Sequence, residues 1–185
     1  VVKPDLATSF GICFLSQFHI CIFFIIRGQI LAYQKNIRYK EHIIKRCKTL
    51  LVPYVIFSIL NILYLFVDMR WENQTKLIIE IERNLIHAST LYGISVLWFL
   101  PALLFGEIGF LFIRAKVNKK VTPYLMIVFM TGICIVAPYF SVKEDGCVWM
   151  SSMWMLILNY ILVVLLRSVV ALFYIWAGFY SADFF

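Results

Sequence analysis

Five runs of the sequence contain no Asp, Glu, Lys or Arg, and they constrain the fold more than any other feature. They cover residues 6–26, 49–67, 84–106, 121–142 and 146–166. A helix needs about 20 apolar residues to cross about 30 Å of hydrocarbon, and each run is long enough. The chain is 63% hydrophobic and 15% charged, whereas soluble domains contain about 25% charged residues. The sequence therefore predicts a single all-α domain over residues 1–185, a polytopic transmembrane helical bundle of about five spans in a lipid bilayer.

The basic residues between these runs predict which loops face the cytoplasm, because cytoplasmic loops carry an excess of Lys and Arg. The first loop contains Lys35, Arg38, Lys40, Lys45, Arg46 and Lys48, and the third contains Arg114, Lys116, Lys119 and Lys120. We place the second and fourth loops outside. This topology explains the net charge of +7, so no nucleic-acid partner is predicted.

Local patterns predict where the second and third spans begin and bend. Residues 34–48 alternate basic and apolar groups, which indicates an amphipathic segment on the inner membrane surface. The second span, 49–67, then has Pro53 in its first turns, where a missing N–H costs little. Pro101 lies within the third span, roughly 94–113, where it predicts a kink.

Two further segments carry weaker patterns. The stretch "TKLIIEIERNLI" has apolar residues at helical spacing, which predicts a helix on the outer membrane surface. Residues 147–182 are too many for one ordinary span and few for two. Either residues 148–166 span the membrane, or the span is about 158–180 with Arg167 inside it. The tryptophans before residue 158 favour the second placement, because Trp is enriched at the membrane–water boundary.

The cysteines do not suggest a metal site or a disulfide framework. Their positions are 13, 21, 47, 134 and 147. They form no CxxC motif, they are odd in number, and most lie in apolar runs. We interpret them as small buried hydrophobic residues.

Ionisable residues inside the apolar background are the candidate functional residues, because such groups usually face a partner, a cavity or a substrate path. They are His19, Arg27, Glu107, Arg167 and the basic run Lys45, Arg46 and Lys48. Taken singly, a His in an apolar helix is more often a structural group, and a basic run at a helix end more often reflects topology and lipid contact. Arg27 has two interpretations: it pairs with Glu107, or it snorkels toward the inner surface.

Four segments resemble the multi-pass acyltransferase-3 family, in the order and spacing of that family. "FHICIFFIIRGQIL" (18–31) resembles its Phe-His-Met-Pro-Leu-Phe-Phe-Phe-Ile-Ser-Gly-Tyr segment, and "KRCKTLLVPYVIFSI" (45–59) resembles its basic run before Leu-Leu-Ile-Pro-Tyr. "LWFLPALLFGEI" (97–108) is similar to Leu-Trp-Phe-Leu-Pro-Ala-Leu-Phe, and "RSVVALFYIWAGFY" (167–180) is similar to a later helix ending in Phe-Phe-x-x-Gly-Tyr. The nearest subgroup looks like the sugar O-acetylases.

The resemblance implies a multi-pass enzyme of the cell (inner or plasma) membrane that moves an acyl group, usually acetyl, onto a hydroxyl of a surface glycan or its lipid-linked precursor. Acetyl-CoA, or another acyl-CoA, is then the co-substrate, carbohydrate is the acceptor, and no bound cofactor is expected. His19 is the candidate general base, because imidazole titrates in the working range. The candidate ligands of the CoA phosphates are Lys45, Arg46 and Lys48. The residues assigned to the substrate path or to its structure are Arg27, Trp98, Glu107 and Arg167.

The chain also departs from the family pattern. Cys21 replaces Pro, Arg27 replaces Ser, Gln29 replaces Tyr, and Thr49 replaces the last basic residue of the basic run. The family's first helix is expected before Val1 and its final helices after Phe185, so we expect the chain to be a middle portion of the domain.

Two other functions stay open at this stage. In a transporter or flippase, Arg27, Glu107 and Arg167 would line a substrate path, although the sequence shows no internal repeat or paired broken helices. In an inactive remnant of the acyltransferase, the substitutions at positions 21, 27 and 29 would simply be tolerated.

Overall fold

The apolar runs fold into helices, which satisfy the backbone N–H and C=O groups internally where no water is available. The computed structural model describes residues 6–34, 38–68, 74–117, 121–136 and 153–182. Its α-helices are α1 (Leu6–Tyr33), α2 (Tyr39–Asp68), α3 (Gln74–Ser89), α4 (Phe99–Lys116), α5 (Thr122–Val136) and α6 (Met153–Ser181), and a 3-10 helix, Ser95–Trp98, precedes α4. The described ranges contain no strand, so the predicted all-α fold class is confirmed.

Within the described residues, three helical segments are long and apolar enough to cross a membrane, judged by length and composition. They are Tyr39–Val67, Ser95–Lys116 and Ile157–Ser181. His19–Tyr33, which is the second half of α1, and Thr122–Ile135 are shorter apolar helical segments. Large apolar side chains cover the outward face of the second half of α2, as lipid contact requires. The predicted helical membrane bundle is confirmed. The last span also agrees with the second of the two placements, because Arg167 lies inside it.

Helix α6 lies at the centre of the bundle and packs most extensively against α1 and α4. Toward one end, the Arg167 guanidinium lies 4.9 Å from the centre of the Trp98 ring. Toward the other end, the rings of Phe110 and Phe179 are 5.2 Å apart. These contacts show that α4 and α6 run in the same direction.

Helix α1 runs in that direction as well, because Gln29 near its C-terminus donates a hydrogen bond to Ser181 at the end of α6. The bundle therefore has two distinct ends. We call the end where α1 and α4 finish and α2 begins, next to Arg46, the basic end. The opposite end, next to Trp98, is the aromatic end.

Two glycines let α1 and α6 cross with their backbones in contact. A Cβ atom at Gly28 would collide with the carbonyl oxygen of Ile175, and one at Gly178 would collide with the carbonyl oxygen of Ile25. Small residues at such crossings are typical of membrane bundles, where close van der Waals packing drives helix association. The close approach of α6 to α1 thus depends on glycine, which has no side chain, at both positions.

Two expectations for α2 were wrong. Residues 39–48 do not form a separate surface segment, because they are the first turns of one 30-residue helix. They contain no Gly or Pro that would end the helix, and part of their surface packs against α4. Pro53 consequently lies halfway along α2 rather than in its first turns. Residues 35–37 of the predicted surface segment are outside the described residues.

The kink predicted at Pro101 was also wrong. Helix α4 begins at Phe99, so Pro101 lies in its first turn. The first four N–H groups of a helix have no intrahelical partner, and a proline there removes no hydrogen bond. The chain enters this turn through the 3-10 helix Ser95–Trp98.

The predicted amphipathic helix is present as α3, which packs against α2. Its last turn contacts the middle of α2, where the Tyr54 hydroxyl donates to the carbonyl oxygen of Ala88 at 3.1 Å. Ile78 and Leu85 are exposed on α3. That α3 lies on the outer membrane surface stays a prediction.

Enlarging a glycine at the α1–α6 crossing is expected to destabilise the bundle. We expect Gly178→Leu to lower the free energy of unfolding by at least about 1–3 kcal/mol, since the backbone must separate to admit the side chain. Gly132→Leu in α5 is the control, because nothing lies within 4 Å of a Cβ at Gly132. Thermal unfolding of the detergent-solubilised variants measures the difference, and equal melting temperatures would contradict the crossing.

Candidate functional site

A buried carboxylate, that of Glu107 on α4, is the centre of the candidate site. Gly106 of α4 packs against Ala171 of α6. Successive residues of a helix are rotated by about 100°, so the Glu107 side chain points about 100° away from the α6 side. Glu107 therefore faces the side of α4 on which α1 and α2 lie, and its side chain is only 1% exposed. A carboxylate buried to this extent requires compensating partners.

Arg27 of α1 is the first partner. Its Nε donates to one oxygen of Glu107 at 2.8 Å, and its Nη2 donates to the other at 2.5 Å. The planar guanidinium matches the carboxylate in this bidentate geometry. The Arg27 side chain is 8% exposed, so it is not snorkelling to the surface. Of the two interpretations of Arg27, pairing with Glu107 is confirmed.

Helix α2 supplies the other two partners, His42 and Arg46, which lie one turn apart on the same face. His42 Nε2 lies 2.7 Å from Glu107 Oε1, and Arg46 Nε lies 3.2 Å from the same oxygen. The short His42 contact is satisfied when Nε2 carries the ring proton and donates it to the carboxylate. We call Arg27, His42, Arg46 and Glu107 the ion cluster.

The ion cluster carries more positive than negative charge. Two guanidinium groups face one carboxylate, which leaves one net positive charge when the imidazole is neutral. The side chains of His42 and Arg46 are 16% and 24% exposed, so the cluster is reached from the α2 side. An anionic group approaching from the basic end would find this excess charge in a poorly hydrated setting, where electrostatic attraction is strong.

The basic run does not act as a unit in the structure. Arg46 points toward Glu107, whereas Lys45 and Lys48 are exposed on other faces of α2. The helical rotation of about 100° per residue turns Arg46 away from Lys45 and Lys48, which are three positions apart and lie on a neighbouring face. Only Arg46 of the predicted donor-binding residues belongs to the ion cluster.

A second polar group lies at the aromatic end. Arg167 of α6 donates from Nη1 to the carbonyl oxygen of Tyr92 at 3.0 Å. Its guanidinium also lies over the rings of Tyr92 and Trp98, at 4.5 and 4.9 Å from their centres. Two predicted site residues, Trp98 and Arg167, are thus in contact with each other. They are separated from Glu107 by roughly 13 Å along the α4 axis, at 1.5 Å per residue.

Further aromatic side chains extend this group. The rings of His87, Tyr92 and Tyr160 contact one another, with centre-to-centre distances of 4.8 to 4.9 Å. We call His87, Tyr92, Trp98, Tyr160 and Arg167 the aromatic cluster. It joins the end of α3, the connection before α4, and α6.

His19, the predicted general base, lies apart from both clusters. It is exposed on α1, and its ring packs edge-on against Phe23 at 5.1 Å. Phe23 in turn lies 6.4 Å from Phe99 at the start of α4, so His19 lies toward the aromatic end. Within the described residues, no hydrogen bond to its imidazole is present.

His42 is the site residue that sequence reasoning missed. It fell within the segment assigned to the membrane surface, where a histidine has no special meaning. The spacing of His42 and Arg46 by four residues was the available signal, because it places both on one helix face. That signal has meaning only when α2 is known to begin at Tyr39.

The comparison with protein families agrees with the sequence. A family model described as an acyltransferase domain matches residues 2–185. The resemblance to the acyltransferase-3 family is thereby confirmed. No curated protein and no solved structure matches the chain closely enough to count as similar.

Removing the charge of Glu107 is expected to destabilise the protein strongly. Glu107→Gln leaves the Arg27 and Arg46 guanidinium groups without a counter-charge, and breaking a buried pair in this way costs about 3–5 kcal/mol. Glu41→Gln is the matched control, because Glu41 pairs with Arg38 on the surface, where such a pair contributes about 0–1 kcal/mol. Thermal unfolding in detergent compares the two variants. A Glu107→Gln protein as stable as the control would show that the ion cluster does not hold the helices together.

Proposed function

The chain belongs to the acyltransferase-3 family, and on that premise we propose that it transfers an acetyl group from acetyl-CoA to a hydroxyl of a cell-surface carbohydrate or its precursor, as a multi-pass protein of the plasma (inner) membrane. In this reaction the acceptor oxygen forms a bond to the acetyl carbon, and the thioester C–S bond breaks. The hydroxyl proton passes to a general base, and CoA leaves as the thiol after taking up a proton. The reaction needs no bound cofactor.

The ion cluster is the observation that carries the proposal. Its excess positive charge and its partly exposed Arg46 suit the phosphate groups of CoA, which guanidinium groups bind through charge-assisted hydrogen bonds. Lys45 and Lys48 are exposed on other faces of α2, and their long cationic side chains are proposed as further contacts at this end. The basic end is therefore the proposed donor side.

His19 is the proposed general base for the acceptor hydroxyl. Its exposed imidazole is accessible to a sugar, and it lies eight residues before Arg27, which corresponds to about 12 Å along α1. The pantetheine arm of CoA is long and thin and carries the acyl group at its tip. Phosphates bound at the basic end are thus compatible with an acetyl group that lies deeper in the bundle, toward His19.

Arg27 and Glu107 are proposed as positioning residues. Nε and Nη2 of Arg27 are engaged by Glu107, so this guanidinium is occupied in a structural pair. Its role is to fix α1 against α4 and to hold Glu107, which in turn orients His42 and Arg46. Trp98 and Arg167, at the aromatic end, belong to the proposed acceptor side.

The transport alternative has less support. That alternative requires Arg27, Glu107 and Arg167 to line one substrate path. Arg27 and Glu107 instead form a salt bridge with each other, and Arg167 belongs to the aromatic cluster. Membrane vesicles containing the protein distinguish the two functions. Movement of a glycan without any acyl donor would favour transport, and a strict requirement for acetyl-CoA would favour acyl transfer.

Loss of the His19 imidazole is expected to abolish acetyl transfer. We expect His19→Ala to lower kcat by about 10²- to 10⁴-fold, the usual contribution of a general base, while the protein still inserts into the membrane. Gln34→Ala is the control, because Gln34 is an exposed residue just after α1. Transfer of radiolabelled acetyl from acetyl-CoA to the glycan, in membranes containing the full-length protein, is the measurement. Normal acetylation by His19→Ala would remove His19 from the mechanism, and the absence of acetylation by the wild type would favour the inactive remnant.

Removing the Arg46 guanidinium is expected to weaken donor binding. We expect Arg46→Gln to raise KM for acetyl-CoA about tenfold or more, because hydrogen bonds to charged groups contribute about 1.5–3 kcal/mol. The KM for the acceptor should change little. Arg114→Gln is the control, since Arg114 is exposed near the same end and stacks on Phe179. An unchanged KM for acetyl-CoA in a folded Arg46→Gln protein would contradict the donor site.

A further inference from the structure

Arg167 is a cation within a membrane-spanning helix that has no carboxylate partner in the described part of the chain. Its contacts there are the carbonyl oxygen of Tyr92 and the faces of two aromatic rings. Arg27 in α1 is by contrast paired with the Glu107 carboxylate through two of its nitrogens. A cation in such a position is costly unless it has a partner, and it commonly faces a substrate path, a cavity or another charged group.

The guanidinium is held in a fixed orientation with unused donors. The rings of Tyr92 and Trp98 both lie within 5 Å of it, and only one of its nitrogens donates to a described residue. The buried side-chain nitrogen and oxygen atoms without a partner, among the described residues, belong to Ser58 and Trp176. Nε and Nη2 of Arg167 are not among them, and no described residue accepts a hydrogen bond from either nitrogen. With respect to the described residues, these two nitrogens are available to a ligand that accepts hydrogen bonds.

The backbone that carries Tyr92 is constrained in a way that favours this arrangement. Leu91 and Ser95 have positive φ angles of 58° and 52°, and Gly93 has a φ of 87°. Non-glycine residues rarely adopt this region, and such strain collects at binding and catalytic sites. The turn directs the Tyr92 carbonyl oxygen to Arg167 and places the Tyr92 ring against Tyr160.

The aromatic cluster also offers flat apolar surfaces beside the cation. Sugar rings present C–H groups on their faces, and these groups pack against the negative face of an aromatic ring. The cluster thus combines surfaces for a sugar ring with a guanidinium for an anionic substituent, at the same end of the bundle as His19.

We propose that the aromatic cluster is the acceptor subsite and that it selects an acceptor bearing an anionic group, which binds Arg167. The anion is either the carboxylate of an acidic sugar or the phosphate of a lipid-linked precursor, and both accept hydrogen bonds from a guanidinium in the same way. This inference rests on the proposed function for the identity of its ligand. Its test measures binding alone, so it succeeds or fails independently of acyl transfer.

The experiment compares two matched pairs of probes on the full-length protein in lipid nanodiscs. The first pair is an oligosaccharide containing glucuronic acid and the same oligosaccharide with its carboxyl groups reduced to alcohols. The second pair is polyprenyl phosphate and the corresponding polyprenol. We expect the anionic member of at least one pair to bind about tenfold more tightly or better, and this preference to decrease as the salt concentration rises.

Variants test whether Arg167 produces the preference. Arg167→Gln should abolish it, and Arg114→Gln should preserve it, because Arg114 also stacks on a ring, that of Phe179, but lies at the basic end. If Arg167→Gln fails to fold, Arg167→Lys is tested instead, since Lys keeps the positive charge and can still donate a hydrogen bond to the carbonyl oxygen of Tyr92. A preserved preference in Arg167→Lys supports a charge-based site, and its loss in a folded protein overturns that site.

The pattern across the pairs identifies the source of the anion. A preference only in the first pair indicates an acidic sugar, a preference only in the second indicates a lipid-linked phosphate, and a preference in both indicates a general anion subsite. Equal affinities in both pairs, or a preference that survives in a folded Arg167→Gln protein, overturn the proposal.

Discussion

The pairing of Glu107 with Arg27 is the interaction on which the arrangement of the helices depends. A carboxylate 1% exposed would otherwise cost several kcal/mol. Removing the two charges from water offsets most of what their attraction contributes to the free energy of folding, whereas removing one partner alone leaves an uncompensated buried charge. Arg27 fixes α1 against α4. His42 and Arg46 bind one oxygen of the same carboxylate and fix α2, so three helices are held by one side chain at the basic end.

Packing against α6 gives the bundle two chemically different ends. Gly28 and Gly178 bring the α1 and α6 backbones together, and Gly106 lets α4 approach Ala171. Because α1, α4 and α6 run in the same direction, their C-terminal ends meet at the basic end. The aromatic cluster consequently lies at the opposite end, together with His19. The two ends of the bundle therefore differ in chemistry, which supports the proposed donor and acceptor sides.

The sequence predicted the helices well, because a membrane span is determined by a long apolar run. It predicted the pairing of Arg27 as one of two alternatives, since an intramembrane cation needs a partner. The sequence did not predict that α2 begins as early as Tyr39, because hydropathy locates the edge of the membrane and not the end of a helix. His42 was missed for the same reason. The contact of Arg167 with Tyr92 joins positions 75 residues apart and depends on a turn with positive φ angles, which no helical or charge pattern indicates.

The departures from the family pattern bear on whether the chain has lost its function. By its resemblance to the family motif, Arg27 stands where Ser is usual, and an arginine in an apolar helix would be destabilising without a partner. Here it forms a bidentate pair with Glu107. Gln29, which stands where the family has Tyr, donates to Ser181 of α6. Two of the unusual residues are thus integrated into contacts between helices. These two departures are therefore compatible with a packed bundle.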